Sequence, residues 1–105
     1  MPSRTEPPRT YKAFVAHYPK LEAAWELITE AGKEGPLDER TIRLIKLGIA
    51  MGALREGAVH ASVRKALSIG ISTEEIEQIV ALVAGTLGLP STVAVYSWTH
   101  DVLDK

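Results

Sequence analysis

Cysteine is absent from the 105 residues of this chain. That excludes disulfides, thiolate metal ligands and thiol catalysis together. An excess of charge is absent too: 12 Lys and Arg stand against 13 Asp and Glu, a net charge of −1. With no basic stripe, nucleic acid is not an expected partner. No apolar run reaches the roughly 18 residues that span a bilayer. The opening "MPSRTEPPRT" has no apolar core of the secretory kind, so a cytoplasmic protein with no membrane partner is expected. Strand alternation and Asn-Gly or Asp-Gly hairpin turns are missing, which leaves an all-α reading. No tandem repeat is present.

What is there reads as a flexible arm over residues 1–9, with three prolines, followed by one domain over residues 10–105. Tyr11, Phe14, Val15 and Tyr18 space out a short first helix from Thr10. Pro19 opens a second, striped with Leu21, Ala24, Trp25 and Ile28 and ended by "GKEGPLD". Asp38 caps a third running to about Leu54, whose "IRLIKLGIAMGAL" predicts burial on most sides. Gly48 and Gly52 share one face of it, and close helix contact is the expected compensation for their low helix propensity. Glu56 begins a fourth helix and Gly70 closes it. Ser72 with Glu75 forms a capping box for a fifth, which buries Ile76, Ile79, Val80, Val83 and Leu87. Pro90 opens the sixth, through Val95, Trp98, Val102 and Leu103. Two helices apolar nearly all round are hard to hide in so small a chain, so a homo-oligomer is expected.

The fourth helix, within "REGAVHASVRKALSIG", carries the residues of chemical interest. At about 100° per residue, Val59, Val63, Ala66 and Leu67 share a face. His60 lies on one edge of that face; Ala58 and Ser62 lie on the other, with Arg55 close by. Glu56, His60 and Arg64 form a ladder at i, i+4 spacing, so a carboxylate and a guanidinium bracket the imidazole. That pattern describes a proton donor or acceptor, and equally a half-exposed surface histidine. A Ser62–His60 dyad is not expected because the two side chains diverge. Ser62 is expected to bond the Ala58 carbonyl instead.

The run from Leu37 to Pro90 also resembles the carboxymuconolactone decarboxylase family, which includes alkylhydroperoxidase D-like (AhpD-like) proteins. The matching signals are "LD" before an apolar helix, "VRKAL" closing the next, a glycine, a capped "TEEI", and "GLP" before the last helix. The resemblance implies an all-α AhpD-like domain of about six helices with a central helical hairpin, assembled as trimers or hexamers. The redox branch of that family carries two cysteines three apart and a histidine four residues on. Counted back from Val63, those positions are Arg55, Ala58 and Ser62 here, and the branch's glutamate falls near Arg43. All four are substituted, so peroxide reduction through thiols is not expected. The decarboxylase branch too usually keeps a histidine where Ser62 stands, and His60 is its nearest replacement.

Arg43, Lys46 and Arg55 place positive charge in or beside this helix pair. Two readings stand: ion pairs, with Glu56 or with another subunit, or an anion pocket for a carboxylate. His17, His60 and His100 sit on separate helices, and neither a metal nor a cofactor is expected. Trp25, Tyr96 and Trp98 read as helix packing. Two functions follow. One is a small-molecule decarboxylase or isomerase with His60 as general acid or base and Arg43, Arg55, Glu56, Ser62 and Arg64 as binding residues for a small carboxylate ligand. The other is an oligomeric or ligand-binding protein that kept the fold and lost the site.

Overall fold

The computed structural model describes residues 9–105, and the helices are α1 (Arg9–His17), α2 (Pro19–Lys33), α3 (Glu39–Gly52), α4 (Glu56–Ser68), α5 (Thr73–Leu87) and α6 (Leu89–Leu103). No strand occurs among them, as the missing alternation predicted. The arm expected over residues 1–9 lies outside the described residues except for Arg9, which begins α1. The boundaries follow local chemistry. Asp38 accepts from the Thr41 backbone N–H at 2.8 Å and so starts α3. Ser72 and Glu75 exchange side chain-to-backbone bonds of 3.1 and 2.9 Å, the expected capping box of α5. Prolines open α2 and α6. α3 stops at Gly52, short of Leu54, because Leu54 takes a left-handed φ of 56° and turns the chain into α4.

The described residues divide into two compact units, one ending at Leu37 and the other spanning Asp38–Lys105. In the first, Tyr11, Phe14 and Val15 of α1 and Leu21, Ala24, Trp25 and Ile28 of α2 line an open apolar groove. Neither helix buries a residue.

In the second unit α4 packs beside α3 and α6, and α5 completes the circuit between α6 and α3. Its core holds Leu47 and Met51 from α3, Val59, Val63 and Ala66 from α4, Ile76 from α5 and Val95 from α6, all fully buried. Each of the larger of these side chains contributes about 1.5–3 kcal/mol by leaving water. Thr99 is buried among them and donates its hydroxyl hydrogen to the Val95 carbonyl at 2.8 Å. α3 is covered on one side only, against expectation: Ile45 and Ile49 remain 46% and 63% exposed, because α4 and α5 cover a single sector. The glycine reading also needs correction. A methyl at Gly48 would meet Ile79 at an ordinary 3.9 Å and one at Gly52 would meet nothing, so neither marks a close helix contact.

Glu75 does a second task. Besides capping α5 it pairs with Arg40 of α3, tying the two helices together. The Arg40 contact first, and the Ser72 bonds after it, lower the Glu75 carboxyl from 4.5 to about 2. A carboxyl depressed in the fold contributes stability above its unfolded pKa and loses it as pH falls toward the folded one. Melting temperature should therefore drop between pH 4.5 and about 2. Glu75→Gln should flatten that part of the profile in a pH series of thermal melts; an unchanged slope would remove Glu75 from acid sensitivity.

Candidate functional site

α4 packs beside both α3 and α6, so its two edges face different helices. Val59, Val63 and Ala66 are pinned in the core and fix its rotation. On the α6 side, His60 Nε2–H donates to Asp101 Oδ2 at 3.0 Å. The imidazole side chain is 25% exposed and the Asp101 carboxylate 49%, so the pair sits at the surface with one partner partly covered. Glu56, in the first turn of α4, joins them: one donor atom each from Glu56, His60 and Asp101 lies within 4.8 Å of the other two. An imidazole nitrogen with two carboxylates could hold a metal ion. The sequence reading weighed only the three histidines for such a role and did not include Asp101.

Arg64 is one turn beyond His60 on the same edge and half-buried. The ladder Glu56, His60, Arg64 thus exists by spacing, but the bond His60 makes is to α6 and not along its own helix.

The opposite edge carries the family positions. Ser62 is half-buried and its hydroxyl makes no hydrogen bond, so the expected bond to the Ala58 carbonyl is not formed. Arg55 stands at the N-cap of α4 with extended backbone, exposed, and makes no side-chain cap. Arg43 is half-buried on α3, where burial pushes its guanidinium down and Glu39 opposes the shift. Burial likewise lowers the Lys65 ammonium, and Arg43, Lys46 and Arg64 reinforce it. Among the described residues no carboxylate closes an ion pair with Arg43, Lys46, Arg55 or Lys65, so the expected pairing with Glu56 does not occur within the chain. His60 on α4 pairs with Asp101, and no hydrogen bond or ion pair joins it to Arg43 on α3.

A second histidine cluster ends α6. His100 Nδ1–H donates to Asp104 Oδ1 at 3.0 Å, and Nε2 lies 3.2 Å from Glu77 of α5 without an aligned hydrogen bond. The Asp104 bond raises its pKa against an opposing effect of burial, with the Asp104 and Glu77 charges adding to the rise. His60 and His100 thus serve separate clusters rather than one site.

No helix among the described residues is long and apolar enough to cross a membrane. Comparison with curated proteins and with solved structures finds no match. The sequence model of the carboxymuconolactone decarboxylase family matches residues 19–101, from the start of α2 through Asp101 of α6. The six-helix architecture agrees with it, and this chain belongs to the carboxymuconolactone decarboxylase family.

Proposed function

We propose that the chain is a small-molecule enzyme of decarboxylase or isomerase type, acting on a carboxylate substrate with His60 as general acid and base. The observation that carries this reading is the 3.0 Å bond from a partly exposed His60 to Asp101. A carboxylate that accepts from Nε2–H fixes the tautomer and leaves the Nδ1 lone pair as the base. In an isomerisation Nδ1 takes a proton from one substrate carbon and returns it at another. In a decarboxylation the C–CO2 bond breaks, its electron pair moves into a conjugated carbonyl, and the imidazolium delivers the proton to carbon. Arg64 is the arginine placed to hold the substrate carboxylate, since it shares the His60 edge. Arg43 is on α3 and Arg55 is the N-cap of α4, and neither pairs with His60 or Asp101. Turnover of an unsaturated lactone carboxylate by wild type and by His60→Ala tests the proposal; equal rates would end it.

One observation favours the alternative of a non-catalytic binding protein. The family's redox positions here hold Arg43, Arg55, Ala58 and Ser62, and none is a catalytic acid or base in contact with another. Saturable ligand binding without turnover would establish that reading.

The family match runs across both compact units, which supports residues 10–105 as one domain. The exposed apolar residues Ile49, Leu82 and Leu89, at 63%, 66% and 75%, support a homo-oligomer. Light scattering should give three or six times 11.4 kDa. A monomer at micromolar concentration would contradict it.

A further inference from the structure

We propose that Glu56, His60 and Asp101 form a binding site for one first-row divalent cation such as zinc. Three features of the trio point there. The first is geometry. Metal–ligand bonds of about 2.1 Å set neighbouring donors about 3.0 Å apart at a right angle and about 3.4 Å apart at the tetrahedral angle. Nε2 of His60 and Oδ2 of Asp101 are 3.0 Å apart, and the Glu56 oxygen completes a group within 4.8 Å.

The second is rigidity. Glu56 and His60 are four residues apart on one face of α4, the helical spacing that lets two side chains reach one ion. Asp101 comes from α6, next to the buried Val102, while Val59 beside His60 is buried in the same core. Two packed helices therefore hold the donors and no loop has to order.

The third is charge. With neutral imidazole the trio carries two negative charges, one on Glu56 and one on Asp101. No lysine or arginine forms an ion pair with either among the described residues. The excess is met by a cation, and an imidazole donor selects the zinc and cobalt class over magnesium or calcium. Binding needs the Nε2 lone pair, so the imidazole proton shifts to Nδ1 and Asp101 turns from hydrogen-bond acceptor to ligand. The exposed carboxylates leave further coordination positions to water.

This site uses the same imidazole as the proton-transfer reading but does not depend on it. The test is a Co2+ titration of the chelator-treated full chain, followed by visible absorption and calorimetry, then displacement by Zn2+. One saturable ion per chain is expected. His60→Ala, Asp101→Asn and Glu56→Gln should each weaken it by roughly 10–100-fold or more. The last two change charge with little change of shape, and circular dichroism confirms that each variant is helical. His100→Ala should leave the spectrum unchanged. No saturation by millimolar metal, full binding in His60→Ala, or loss only in His100→Ala would each overturn the site. Turnover assays in excess chelator examine the proton-transfer reading apart from metal, so either can fail alone.

Discussion

His60→Ala lowers turnover of a lactone carboxylate by roughly 10²–10⁴-fold, the usual contribution of one positioned general acid or base. Stability changes little by comparison. The side chain is a quarter exposed, its bond to Asp101 is a surface bond, and alanine suits a helix interior. Asp101→Asn is the more informative variant. It keeps size and packing but presents an amide that can offer Nε2 either an acceptor or a donor, so the tautomer is no longer fixed. In the proposed reaction Asp101 acts by positioning His60, so its loss should appear in kcat with KM nearly unchanged, and Asp101→Glu should restore part of it. A change confined to KM would mean that Asp101 only shapes the binding surface. An equal loss in Arg43→Ala would move the chemistry to the α3 side of α4.

Leu47→Ala destabilises the chain by about 2–5 kcal/mol. Leu47 is fully buried on α3 in the core that Val59, Val63, Ile76 and Val95 share. Truncation removes the transfer energy of its side chain and leaves a cavity that four packed helices cannot fully close. Domains of this size have only about 5–15 kcal/mol in all, so the loss is a large part of the total. Urea unfolding should show the midpoint fall with little change in slope. Ile49→Ala, two residues on and on the opposite, 63% exposed side of α3, is the contrast. In a monomer it should cost little. In the proposed oligomer its effect should grow as protein concentration is raised, because subunit contacts contribute by mass action and are lost on dilution.

These two positions show how unequal the sequence was as a guide. Helix starts were legible because they are local: Asp38, Ser72 with Glu75, Pro19 and Pro90 each satisfy or spare nearby backbone groups. Val63 and Ile76 were legible as core because spacing on a helix fixes which side chains share a face, whereas the near-uniform apolar run of α3 did not separate Leu47 from Ile49. The divergence of His60 from Ser62 followed from the same angle. Asp101 was not legible. It is 41 residues from His60, and nothing in its own helix distinguishes it from any exposed aspartate until α6 is laid beside α4. Gly48 and Gly52 were misread for a related reason. Small residues four apart permit close approach but do not say which helix makes it, and here no helix backbone comes near either. Ser62 was expected to bond backward along its helix, yet no such bond forms.

The most direct measurement is a two-dimensional NMR titration of isotope-labelled protein with an unsaturated lactone carboxylate, in chelator, mapping which residues respond. A functional site on the α6 edge of α4 predicts saturable shifts concentrated at His60, Arg64 and Asp101, abolished in His60→Ala. Shifts concentrated instead at Arg43, Ser62 and Lys65, or no saturable shift at all, would contradict it.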